Sequence, residues 1–241
     1  MILTDMYNAV KTVFGHLYNE LFAKNERNAS YLKNVLIAAL IVGIAAAGFY
    51  GYKFYMHSKE SSAQKVFSEC MNEFDNAREG TGSWSNVEEA FDLGYKQNSG
   101  SSLAPYFLAL KAESLYEQGK TKESMDVLSS ALNKMSQKDD FYGMYKAKLG
   151  LAKMDSKDVA VHKEGFDILK SLSENVNSGQ STALYYLGLH FWDKNDMQKA
   201  KGYWNKLVSS FEQEQKKASS KLPLKETPYV KMAQEKLAQL D

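Results

Sequence analysis

The chain of 241 residues carries a single cysteine, Cys70, and three prolines. One thiol can neither close a disulfide within the chain nor assemble a cysteine metal cluster. The prolines fall at the start of helical patterns or in a late linker, where they interrupt no helix. Neither sign of charge prevails: thirty Lys and Arg face twenty-nine Asp and Glu, so a nucleic-acid-binding surface has no global electrostatic support. Catalytic patterning is absent as well. His16, His57, His162 and His190 show no HxxxH or HExxH spacing, and there is neither a Walker loop nor a GxGxxG after a strand. The Asp193, Asn195, Asp196 cluster lacks the glycine and distal glutamate of an EF-hand loop and reads as turn and cap chemistry. Cys70 lies on an apolar helix face and reads as a small core residue. The expectation is a non-enzymatic protein with no metal and no cofactor.

What the chain does have is hydrophobic surface at helical spacing. From Asn34 to Tyr52 no charged residue occurs, and Lys33 and Lys53 close the run. As a helix it is roughly 28 Å long, close to the roughly 30 Å hydrocarbon core of a bilayer. Tyr31 before the run and Phe49, Tyr50, Tyr52, Phe54 and Tyr55 at its far end supply interfacial rings, and the two lysines can snorkel. A transmembrane helix over 34–55 is expected, as an anchor that stays uncleaved because a long segment precedes it. Lys24, Arg27 and Lys33 on one side balance Lys53, Lys59 and Lys65 on the other, so the charge bias leaves orientation tied. Ala39, Gly43, Ala47 and Gly51 recur every four residues as a ridge without bulk, expected to pack against a membrane partner.

On either side of the anchor the helical period continues. In 1–33, Met6, Val10, Val13, Phe14, Leu17, Leu21 and Phe22 form one apolar stripe of an amphipathic segment. In 56–104, Val66, Phe67, Cys70, Met71, Phe74 and Ala77 predict a helix that Gly80 and Gly82 end, and Trp84, Val87, Ala90, Phe91 and Tyr95 predict its hairpin partner. In 105–213 an internal repeat emerges. Small residues align at Ala112, Gly150 and Gly188 in the first helix of each copy, and at Ser124, Gly165 and Ala200 in the second. Behind them come Leu128, Leu169 and Trp204, then Ala131, Leu172 and Leu207. This pattern resembles the tetratricopeptide helix-turn-helix, with extra residues around Asp155 to Val159 in the middle copy. In 214–241 a lysine-rich linker leads to Tyr229, Met232, Ala233, Leu237 and Leu240, a closing helix that would cover the last repeat.

The resulting fold class is all-α: one transmembrane helix followed by a tetratricopeptide-like solenoid of helical hairpins. The tetratricopeptide resemblance places the first helix of each hairpin on a concave face. That face would carry Tyr106, Ala109, Glu113, Tyr116 and Glu117 from the first copy. The second would add Met144, Ala147, Leu151, Met154 and Asp155, and the third Thr182, Tyr185, Leu189, Trp192 and Asp193. The groove residues expected to meet a polypeptide are Tyr106, Tyr116, Leu151, Met154, Tyr185, Leu189 and Trp192, since Met and aromatic side chains adapt to extended apolar segments. The alternative is that the closing helix fills this groove.

The order of parts, from the anchor through the juxtamembrane helix FYMHSKESSAQKVFSECMNEF to the degenerate repeats, resembles the YfgM-type ancillary subunits of the bacterial Sec translocon. That resemblance implies an inner-membrane protein with a cytoplasmic N-terminus and a periplasmic repeat domain, associated with the translocon and a membrane-anchored periplasmic chaperone. The function expected is a tethered adaptor for unfolded or extended exported polypeptides. The alternative is a scaffold that assembles another cell-envelope complex.

Overall fold

A computed structural model of the chain describes Thr12, Gly15 and residues 26–217 and 227–240. The amphipathic stripe from Met6 to Phe22 and most of the lysine-rich linker lie outside the described residues, as do the side chains of Tyr31 and Lys33. Among the described residues all regular structure is helical: α1 (Glu26–Arg78), α2 (Trp84–Asn98), α3 (Ala104–Glu117), α4 (Thr121–Lys134), α5 (Tyr142–Met154), α6 (Val159–Glu174), α7 (Gln180–Asp193), α8 (Met197–Lys217) and α9 (Pro228–Ala238). No strand occurs among them. The chain divides into two compact units, Met1–Lys59 and Glu60–Asp241.

Beyond Thr12 and Gly15, the described part of the first unit is the beginning of α1. A helix of a soluble domain turns an apolar stripe inward, but here Ile37, Leu40, Ile41, Val42 and Ile44 are all exposed, and so are Phe49, Tyr50, Tyr52, Phe54 and Tyr55. The stretch Ala39–Arg78 includes a window long and apolar enough to cross a membrane, none of it buried.

The second unit begins within α1 and runs as a sequence of hairpins. Cys70, Phe74 and Ala77 of α1 join Val87 and Phe91 of α2 and Phe107 of α3 in one cluster, with Phe67, Phe91 and Phe107 meeting edge to face. Ser83 caps α2 by accepting from the Asn86 amide at 3.2 Å. From α3 on, each helix packs on the next, pairing as α3 with α4, α5 with α6 and α7 with α8.

The small positions of the repeat are places where paired helices nearly touch. Ser124 of α4 donates its hydroxyl to the Ala112 carbonyl of α3 at 2.7 Å. At the equivalent place in the second hairpin, a methyl on Gly165 of α6 would lie 2.5 Å from the Gly150 carbonyl of α5. In the third, a methyl on Gly188 of α7 would collide with the Trp204 indole, whose Nε1 donates to the Tyr185 carbonyl at 3.1 Å. Leu128, Leu169 and Trp204 are buried, as are Ala131, Leu172 and Leu207.

Within the hairpins, the turns obey one rule with one exception. After α3, Gly119 has φ +76° and the Lys120 amide reaches back to the Leu115 carbonyl at 2.9 Å. After α7, Asn195 has φ +60° and the Asp196 amide reaches the Phe191 carbonyl at 2.9 Å. Gly80, with φ +78°, and Thr81 close α1 in the same way. A left-handed residue satisfies the last carbonyls and reverses the chain. The middle hairpin, with its extra residues, has no such turn; Asp158 instead caps α6, accepting from the Ala160 amide at 2.8 Å.

Candidate functional site

The first helices of the three hairpins do not meet equally. Gly143 at the start of α5 and Gly179 just before α7 approach so closely that a methyl on Gly179 would collide with the Gly143 carbonyl. Ala147 and Ala183 continue this seam into the core shared with Leu169 and Leu187. Small facing residues let two helices close up, and α5 packs directly on α7. Between α3 and α5 the facing side chains are large or charged. Tyr106 and Tyr145 meet edge to face with centroids 6.5 Å apart, and Lys148 forms an ion pair with Glu113. Beneath this bridge lies a cavity of about 180 Å³.

Its floor is apolar: Ala109 and Ala112 from α3, Leu128 from α4, and Leu151 and Ala152 from α5. Its mouth carries Glu113, Tyr116, Glu117 and Lys148, and Tyr145 and Ser124 complete the lining. Tyr116 is 46% exposed. Tyr145 is 7% exposed, and its hydroxyl makes no hydrogen bond with any described residue. Burial, reinforced by the carboxylates of Glu113 and Asp139, pushes the Tyr145 phenol up to about 12. Tyr106, with its hydroxyl donated to Asp139 Oδ2, is likewise raised, first by burial and then by that carboxylate. Both phenols are therefore neutral at physiological pH.

The third hairpin is covered. Tyr185, 4% exposed, lies against Tyr229 of α9 with centroids 5.6 Å apart. Trp192 rests on Trp204 at 5.6 Å and beneath the Lys236 ammonium of α9 at 4.8 Å, and Leu189 is partly buried in the same cluster. Of the seven expected groove residues, Tyr116 and Leu151 line the cavity, and Tyr106 braces its edge through Tyr145. Met154, like Phe166 and Tyr186, packs against the core of Ala147, Leu169 and Leu187, and its carbonyl accepts from His162 Nδ1 at 2.5 Å. Tyr185 belongs instead to the core that α9 completes, and Leu189 and Trp192 pack against that core, partly buried. Tyr145, Lys148 and Ala152 were not among the expected residues; their spacing of three and four along α5 was the signal that they share a face with Leu151.

Comparison with family models and with curated proteins gives no match to this chain.

In the first unit, Ala39, Gly43, Ala47 and Gly51 are exposed along α1, and nothing lies within 4 Å of where a methyl on Gly43 or Gly51 would sit. Cys70 is buried and donates weakly to the Ala90 carbonyl at 3.3 Å. Burial, then the neighbouring Glu69, pushes its thiol up to about 11, which suppresses the reactive thiolate. His190 lies 5.7 Å from His162 and 5.1 Å from Phe166, centroid to centroid. Burial, then Lys194 and His162, holds its imidazole below the usual histidine range against the smaller pull of Asp193. Among the described residues no three His, Cys, Asp or Glu side chains converge as metal ligands would.

Proposed function

We propose that this protein is a membrane-anchored, non-enzymatic adaptor that holds extended polypeptide segments in the cleft between α3 and α5. The observation that carries the reading is the contrast within one stack. A tyrosine-edged cavity with an apolar floor stays open at this junction, while the equivalent surface of the third hairpin is covered by α9. Exposed side chains along the apolar part of α1 support an anchor, because a bilayer is the solvent that such a surface fits. The repeated small positions and left-handed turns support reading the hairpins as a tetratricopeptide-like stack.

The order of parts, with its likeness to YfgM-type translocon subunits, makes exported chains emerging from the Sec translocon the clients and a periplasmic chaperone the neighbour. On this reading the N-terminus is cytoplasmic and the hairpins are periplasmic. Tethering raises the effective concentration of the cleft where clients emerge, so modest affinity suffices.

The test uses the full-length chain in detergent and a reduced, carboxymethylated model protein as a permanently unfolded ligand. Saturable binding to the unfolded ligand, absent for the same protein in its native form and weakened by Tyr116→Ala with Leu151→Ser, is the expected result. Equal affinity for native and unfolded forms would argue for a scaffold of folded envelope partners instead. In membranes, pelleting after alkaline carbonate washing is expected; release into the supernatant would remove the anchor from the account.

A further inference from the structure

Resting on the reading of this cleft as a polypeptide site, we propose that the cavity between α3, α4 and α5 is a pocket for one basic side chain, an arginine or lysine, carried by an otherwise apolar segment. Size limits the occupant first. A volume of about 180 Å³ lies below the range of drug-sized ligand sites and slightly above that of a cavity that holds a single benzene ring. One side chain fits, and a folded surface does not enter.

Chemistry then selects among side chains. The floor formed by Ala109, Ala112, Leu128 and Leu151 offers contact to a hydrocarbon stem. The mouth sets two carboxylates, Glu113 and Glu117, against one ammonium, Lys148. Lys148 is committed to Glu113, which leaves Glu117 as the carboxylate without an ion-pair partner among the described residues. Tyr116 presents an exposed ring beside Glu117, and aromatic faces attract cations. The second, independent observation is Tyr145. Its side chain is more than nine-tenths buried, lines the cavity, and its hydroxyl has no hydrogen-bond partner among the described residues. That hydroxyl is not among the enclosed unpaired polar atoms of the described residues, so it stays accessible to an entering group, and a guanidinium or ammonium in the pocket gives its oxygen a donor. The three features fit a long stem with a cationic tip, the side-chain architecture that lies along apolar surface and keeps its charge at a polar rim. A glutamate would meet like charge at the mouth. A leucine or norleucine would match the floor and leave Tyr145 unpaired.

The experiment measures fluorescence anisotropy of labelled short peptides of alternating Leu and Ser, with a single central Arg, norleucine or Glu, titrated with the full-length chain in detergent. The Arg peptide is expected to bind about tenfold more tightly than the norleucine peptide, as one charge-assisted hydrogen bond implies, and the advantage shrinks with added salt. Tyr145→Phe and Glu117→Gln, which preserve shape, are each expected to remove most of the difference between the Arg and norleucine peptides. Equal or tighter binding of the norleucine peptide overturns the basic pocket while the cleft remains a polypeptide site. An Arg advantage that persists in both variants overturns the placement of the cation in this cavity. Failure of all three peptides to bind overturns the pocket and the polypeptide reading together.

Discussion

Two junctions built from one repeated pattern end in different states. At the junction of α5 with α7, Gly143, Ala147, Gly179 and Ala183 let the helices close, and α9 then seals the face of α7 with Tyr229 and Lys236. At the junction of α3 with α5, Tyr106, Tyr145, Glu113 and Lys148 span the interval and leave a cavity beneath them. The difference teaches that repeat positions facing within a hairpin determine its pairing, whereas residues facing between hairpins decide whether a surface stays open. The proposed function assigns binding to the open end and leaves the closed end to stability.

Equivalent substitutions at the two ends should break the molecule unequally. Trp204 is fully buried and hydrogen-bonded across α7 and α8, so Trp204→Ala should cost about 3–5 kcal/mol. Leu128→Ala, at the same repeat position but already bordering the cavity, should cost about 2 kcal/mol, the low end for such truncations. Urea unfolding of the full chain in detergent, followed by circular dichroism, measures both; equal losses would contradict the contrast.

Gly179→Ala forces a methyl onto the Gly143 carbonyl, backbone that cannot step aside, and should cost about 2–3 kcal/mol by the same measurement. A near-neutral result would mean that the α5–α7 seam is looser than described. The turns sharpen the comparison on a smaller scale. Gly119→Ala, at φ +76°, should destabilise by about 1 kcal/mol, while Asn195→Gly, at φ +60°, should stabilise by a few tenths, about 0.5 kcal/mol at most. Opposite signs in the melting temperatures would show that the first and third turns use one backbone solution.

The smallest expected effect is a pH dependence at the closed end. His190 is held below its ordinary value near 6.5, so the unfolded chain binds its proton more readily than the folded one. This contribution to stability is whole above pH 6.5 and is lost as pH falls through that value toward the depressed one. Melting temperatures at pH 7.5 and 5.5 should differ less in His190→Phe than in the parent chain, and an unchanged difference would remove His190 as its source.

Much of this architecture was legible in the sequence because it depends on local period and composition. Helical spacing foretold the helices of the described residues, and the uncharged run ending at Tyr52 foretold a helix of membrane length. Gly80 and Gly82 marked the end of α1, and the small residues at 112, 150 and 188 marked close approach. The candidate site was less legible. Tyr185 and Trp192 share the face pattern of Tyr116 and Leu151, and spacing alone does not choose between an open groove and one filled by the closing helix; at the third hairpin the closing helix, α9, lies against them. Tyr145 and Lys148 line the cavity because of the distance between α3 and α5, which is a property of two facing surfaces and of no single stretch. The Gly143 and Gly179 seam was hidden for the same reason: the two residues are far apart in sequence and each alone reads as an ordinary helix start.

The central claim is that polypeptide is held at the open junction of an anchored chain. Site-specific photocrosslinking in intact membranes tests it most directly, with the photoreactive residue at position 116, 151 or 192. The account predicts adducts with extended exported polypeptides from positions 116 and 151 and none from position 192, which lies under α9. Client adducts from position 192 with none from 116 or 151 would contradict it.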